Sequence, residues 1–491
     1  MLFNSLYFVF LFLPVSLIGW YILNKLNLGR LKVACLCFVS LWFYGYANIK
    51  YLLILIPSLL INFLISFLFE KIHGKLKKII FTLAMVLNIV LLGYFKYRNF
   101  FVETINDIFG QNFNARQIIL PLAISFFTLQ QIAFLTDRYK EEAPHYDFLT
   151  YSAFVLYFPK LISGPIVYHN EVCPYFDGTQ KIIFDKEGFT KGLIRFMLGL
   201  SKKILIADLL SLYVEYGMAR LTYFDTPAAW LWALLYALQL YFDFSGYTDM
   251  AIGISNMFGI NLPENFDSPY KAVSVRDFWR RWHITLTRFL TKYIYIPLGG
   301  NRKGALLKIV NTVIVFLISG LWHGASWTFV IWGLLHAVAI LISGAVHKKN
   351  KTKGNILSHV VTMVFVVFAW AVFRADTFEN LRIILQKMFI PEINGFAKEL
   401  CTAIYDIPEL YMITKLLNLK ASGLIMPMYY LLTVAFVVIS IILMAFGDVR
   451  VRLNKRIQKG FSLGYLIFIS ILFVWALVSM SNVTTFLYFT F

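Results

Sequence analysis

His323 stands in ISGLWHGASW, residues 318–327, between two apolar runs and with Gly320 and Gly324 close by. A neutral imidazole in a dry site is a suitable general base for a hydroxyl acceptor. Glycines on both sides let the backbone bend or a ligand come close. The densest polar feature is KAVSVRDFWRRWHITLTRFLTKYIYIPLGGNRKG, residues 271–304. Ser274 and Asp277 have the spacing of a capping box at a helix start. On a helix running on from there, Phe278, Trp282 and Phe289 form an apolar stripe, and Arg276, Arg280, His283 and Thr287 a cationic one. Guanidinium groups in a row suit phosphate, which they hold through paired hydrogen bonds. Asn301, Arg302 and Lys303 extend this rim. The same pattern would also anchor a helix on anionic lipid, and spacing alone leaves both readings open.

Asp243 and Asp249 lie in LYFDFSGYTDMAIG, residues 240–253, an otherwise apolar stretch. Burying a carboxylate costs several kcal/mol unless it is paired. The candidate partners are the arginines between Arg276 and Arg288, or a histidine. A structural ion pair and a supporting role behind the reacting groups are both open. FPKLISGPI, residues 158–166, puts Lys160 in an apolar run and then breaks at Ser163-Gly164-Pro165, which reads as a broken helix near a cavity. His336 has no polar neighbours in sequence and reads as structural. Cys35, Cys37, Cys173 and Cys401 show neither metal spacing nor a disulfide framework, so no metal site is expected. There is no GxxxxGK loop, no G-x-S-x-G elbow and no basic domain for nucleic acid.

These residues must be positioned inside a membrane. The 491-residue chain is 59% apolar and only 14% charged, against about a quarter charged in soluble domains. Its long unbroken apolar runs exclude an outer-membrane barrel, whose strands alternate. A spanning helix needs about 20 mostly apolar residues. Good candidates are 3–23, 33–46, 51–69, 79–95, 118–136, 150–167, 229–245, 309–322, 326–345, 357–373, 429–446 and 461–480. Segments 193–214 and 247–260 are weaker, and Arg195, Lys202 and Lys203 suggest an interfacial course for the first. The fold expected is all-α and polytopic, with 11 to 14 helices in one membrane-embedded domain over 1–491. Its motif region is 150–345. The start of the chain lacks a basic stretch and a small-residue cleavage site, so Phe3–Leu23 reads as a retained span. Loops 24–32, 70–78, 347–355 and 447–460 are strongly basic and are expected in the cytoplasm. Segment 374–428, read as a long loop of balanced charge, and both termini then face outward. The run 309–321 spans about 20 Å as a helix, which sets His323 below the outer surface. An intramembrane histidine is functional by default.

DFWRRWHITLTRFL…YIPLGGNRKG, YFDFSGYTDMAIG, FPKLISGPI and GLWHGASWTFVIWGLLHA together resemble the membrane-bound O-acyltransferase (MBOAT) superfamily, in its alginate O-acetyltransferase branch. The PLGGNRKG tail favours the acetyl-transferring branch over the D-alanyl-transferring one. The resemblance implies a ring of helices around a thinned centre, with a funnel and a narrow tunnel. It implies that His323 is catalytic and that His283 lines the donor side. Arg276, Arg280, Trp282, Asn301 and Trp322 would bind the donor, with Asp243 and Asp249 behind them. The donor would be a cytoplasmic thioester, plausibly acetyl-CoA, with no bound cofactor. The acyl group would cross a bacterial cytoplasmic membrane, and a separate extracytoplasmic SGNH-type acetyltransferase would place it on a polysaccharide. The aromatic end TTFLYFTF is similar to the Tyr-containing end of the small partner peptide of D-alanylation, so Tyr488 is a candidate acyl carrier. An aromatic belt at the membrane edge would give the same residues. The competing functions are D-alanyl transfer to teichoic acid from a carrier-protein thioester, and a transporter or flippase of lipid-linked glycan.

Overall fold

The computed structural model describes the whole chain except residues 116–117, 180–182, 350–354, 406, 421, 447–448, 450–452, 455–459, 481–484 and 488–491. Tyr488 and much of the basic loops 347–355 and 447–460 therefore lie outside the described residues. Among the described residues there are helices and no strand, with one isolated antiparallel bridge between Phe266 and Trp282. Among the described residues seven helices are long and apolar enough to cross a membrane: Phe8–Lys25, Ile49–Lys71, Gly74–Phe109, Ala305–His323, Trp327–Ala345, Ile356–Arg374 and Ile425–Ala445. Leu463–Val478 is apolar but shorter. These helices turn leucine, isoleucine and valine outward, as Leu53 at 75% exposure shows. Buried charges lie inside. This inverted distribution is that of an integral membrane protein.

The helices that position the site are α1 (Gly74–Leu92), α2 (Lys186–Ser201), α3 (Thr226–Met257), α4 (Val275–Arg281), α5 (Ile284–Leu290), α6 (Ala305–His323), α7 (Trp327–Lys349) and α8 (Ile356–Arg374). Helix α3 is central and almost wholly buried from Ala228 to Ser255. It joins the expected segments 229–245 and 247–260 into one element. Its N-cap is Asp225, whose side chain accepts from the Ala228 N–H, which satisfies one of the first orphan amides. Helix α2 runs against it through paired glycines. A Cβ at Gly199 would stand 2.7 Å from the Gly246 carbonyl oxygen, and one at Gly192 2.6 Å from that of Gly253. Only glycine allows the two backbones so close, the packing mode expected without a hydrophobic drive between helices.

This contact takes 193–214 off the interface. Arg195, Lys202 and Lys203 are turned onto α3 and paired there, so the segment is a buried element. Segment 150–167 is likewise divided, into Phe148–Leu156 and Phe158–Leu161. Segment 374–428 is mostly helical, in Phe378–Phe389, Phe396–Leu400 and Pro408–Lys420. The first of these starts at Thr377, whose side chain accepts from Asn380 N–H.

Candidate active site

His323 is the last residue of α6, about 27 Å along the axis from Ala305. It is 5% exposed. Its ring is enclosed by Trp322, Trp332 and Phe373, with centroids 4.8, 5.3 and 5.3 Å away. One side opens on a cavity of about 90 Å³ lined also by Lys96, Ser125, Phe126, Ser163 and Trp322. Ile162 and Ser163 reach it from the break after Phe158–Leu161, as the Ser-Gly-Pro punctuation suggested. The glycines near His323 have another purpose than the one expected. A Cβ on Gly320 would strike the Phe329 carbonyl, and one on Gly324 the Phe329 ring. They bring α6 and α7 together rather than admit a ligand.

A second, larger cavity of about 460 Å³ lies lower, among α4, α5, α6 and α7. Arg276, Arg280, Asn301, Thr287 and Lys308 line it, and its wall includes Phe316 and Ser319. Among the described residues on this wall there is no carboxylate. Three cations lining one cavity with no carboxylate among its described lining form a ready anion site. Ser319 belongs to this basic cavity and His323 to the other. They are four residues apart on α6, a separation of about 6 Å. The two cavities are thus lined by residues one turn apart on the same helix.

The helix expected to run on from Ser274 is broken. Ser274 does cap α4, accepting from Asp277 N–H at 3.1 Å. Trp282 is then extended and His283 takes a left-handed conformation, φ +45° and ψ +53°. Strain of this kind persists only where the surroundings fix it. Here residues 265–267 do so: Ile284 N–H donates to Asn265 O and Asp267 N–H to Arg281 O, both at 3.0 Å. The break rotates His283 out of the cationic stripe. Arg276, Arg280 and Thr287 line the basic cavity, while His283 is fully buried between Phe244 and Trp322, at 4.8 and 5.8 Å. Trp282 stays with Phe278, as the apolar stripe had it, in an aromatic cluster with Trp370, and does not line the basic cavity. Trp322 stands with His323 rather than with the arginines, its ring between the two histidines.

Asn265 was not foreseen, because nothing marks one asparagine in a turn-rich stretch. Its side-chain oxygen accepts from Thr285, at 3.3 Å from the amide and 2.9 Å from the hydroxyl. That fixes the oxygen end of the amide. The His283 Nδ1, 3.1 Å from the same oxygen, must then be the protonated nitrogen, and a neutral ring keeps its lone pair on Nε2. His336 accepts the indole N–H of Trp279 at 3.1 Å, in line with its structural reading.

The residues matched by the MBOAT family, membrane-bound O-acyltransferase, run from 36 to 375. The chain belongs to this family. The acyltransferase is 43% identical over 422 residues to the peptidoglycan O-acetyltransferase of Helicobacter pylori, covering 79% of this chain and 80% of that protein. It is 38% identical over 391 residues to the probable alginate O-acetylase AlgI of Pseudomonas aeruginosa, covering 78% and 73%. Similarity to the teichoic acid D-alanyltransferase of Bacillus subtilis is lower, 27% over 288 residues, covering 54% and 71%.

Asp243 and Asp249 in this acyltransferase are paired elsewhere than the sequence suggested. Asp249 binds Arg195 at 2.9 Å and Lys202 at 2.7 Å, and Arg195 forks onto Glu264. Asp243 binds Lys203 at 2.6 Å. Arg288, one expected partner, pairs with Glu171 instead. Neither aspartate lines the basic cavity or the histidine cavity. Packing decides the partners: helix α2 and its continuation stand against α3 and reach the carboxylates first. Asp243 also accepts the Leu487 N–H, and Lys203 donates to Thr485 O, both at 3.1 Å. Breaking a buried pair costs about 3–5 kcal/mol. Lys203 keeps Asp208 at 2.8 Å, so Asp243→Asn is expected to lower thermal stability by less, about 1.5–3 kcal/mol, read as a shift of the melting curve in detergent. An unchanged melting temperature would show that the pair is not structural.

Proposed function

We propose that this acyltransferase passes an acetyl group from a cytoplasmic thioester, acetyl-CoA, across a bacterial cytoplasmic membrane for O-acetylation of an extracytoplasmic polysaccharide. The observation that carries this reading is that a basic cavity and a histidine cavity are lined by residues one turn apart on α6. Phosphates of the donor would rest on Arg276, Arg280 and Lys308, and its thioester would reach toward Ser319. His323 would take the proton of a hydroxyl entering the other cavity. The freed oxygen would attack the thioester carbonyl, and the thiolate would leave on the donor side. The relatives named for O-acetylation of peptidoglycan and alginate support an acetyl donor and a glycan acceptor. Basic loops on the Lys308 side support the orientation, with both termini outside. An extracytoplasmic SGNH-type acetyltransferase is the partner we propose for the last transfer.

The test uses inverted membrane vesicles containing the full chain, with and without extracytoplasmic extract, supplied with radiolabelled acetyl-CoA outside. Label entering the lumen in base-labile ester, dependent on the chain, is expected. Label transferred only from an acylated carrier protein would move the donor assignment to the D-alanyl type. Transfer of glycan without thioester cleavage would replace the reading by a flippase.

A further inference from the structure

Helix α6 ends inside the protein at His323, and a helix end leaves its last carbonyls without partners. In a membrane such groups must be satisfied by protein. The satisfying groups come from another helix. The long apolar helix Gly74–Phe109 is interrupted by a π-turn at Gly93–Tyr97. Lys96 and Tyr97 leave that turn toward α6. The Lys96 ammonium donates to Trp322 O and, at 3.1 Å, to His323 O. The Tyr97 hydroxyl donates to Leu321 O at 2.7 Å. Two adjacent side chains thus hold three successive carbonyls, the last of them that of His323. Lys96 also lines the cavity that His323 faces. A π-turn is a local departure often found at functional sites, and a lysine at membrane depth is costly to keep.

We infer that Lys96 is a positioning residue for His323. Its ammonium fixes the last turn of α6, and with it the height and rotation of the imidazole in the cavity. Tyr97 holds the neighbouring Leu321 carbonyl of the same turn. Lys96 holds two of the three carbonyls and Tyr97 one, so Lys96 carries most of the positioning. This inference rests on the proposed role of His323, and the experiment separates the two.

Lys96→Met, Lys96→Arg, Tyr97→Phe and His323→Ala are expressed at matched membrane level in a strain lacking the native protein. Base-released acetate from envelope glycan and the melting temperature in detergent are measured for each. Displacement of a reacting group by about 1 Å can cost about a hundredfold. Lys96→Met is expected to lose about tenfold to a hundredfold in acetylation, with the chain still folded and its melting temperature only modestly lowered by the two carbonyls left without that donor. Lys96→Arg, which keeps the cation and its donors, is expected to recover most of that loss. Tyr97→Phe should lose only about two- to fivefold, as one neutral bond would give. Full acetylation by Lys96→Met would overturn the inference. So would a loss that Lys96→Arg does not relieve and that a strongly lowered melting temperature accompanies. Full acetylation by His323→Ala would instead remove the reading of the site itself.

Discussion

His323→Ala is expected to abolish acetyl transfer while leaving the protein folded. General base removal costs about 10²–10⁴-fold. The upper part of that range applies because no other imidazole lines the same cavity among the described residues. His283 is the nearest alternative, and its Nδ1 is held by Asn265 at 3.1 Å. The Trp322 ring stands between it and His323. The alanine removes a ring packed on Trp332 and Phe373 but leaves the backbone carbonyls of α6 on Lys96. Folding is therefore judged by an unchanged elution profile and melting curve. Donor KM should stay within about twofold, because the arginines of the basic cavity are untouched. Residual turnover near the native rate would show that the histidine cavity is not where the hydroxyl is activated.

Much of this arrangement was legible in the chain, and the reasons differ from residue to residue. The basic rim was read from the spacing of Arg276 and Arg280, and both line one cavity with Asn301. Four-residue spacing survives because α4 is long enough to hold that pair. The same argument failed for His283, three residues further on. Periodicity assumes a continuous helix, and the left-handed turn at His283 is imposed by hydrogen bonds from residues 265–267, which no local pattern announces. The partners of Asp243 and Asp249 were missed for a related reason. Sequence shows that a buried carboxylate needs a cation, but not which helix packs closest. Gly192 and Gly199 against Gly253 and Gly246 decide that, and the cations they carry inward are Arg195, Lys202 and Lys203. Lys96 stands one residue past the expected span 79–95, and nothing in the sequence marks it. Its importance lies in where α6 stops.

Arg276→Ala and Arg280→Ala are expected to weaken donor binding and little else. A hydrogen bond to a charged group contributes about 1.5–3 kcal/mol. Each substitution should therefore raise the donor KM by about tenfold or more, with kcat within about twofold, the signature of binding made equally in ground and transition states. The double variant should reach about a hundredfold at most, since two arginines on one cavity wall share a ligand and do not add independently. Arg281→Ala is the contrast. Arg281 is paired with Asp277 at 3.1 Å and does not line the cavity, so its donor KM should not move. Raising salt should weaken the native enzyme's donor affinity more than that of the double variant, because the phosphates then have fewer fixed charges to lose. If all three arginine variants behaved alike, the rim would be a general surface charge. A rise confined to Arg276 and Arg280 ties the donor to the one wall that ends, a single helical turn on, at His323.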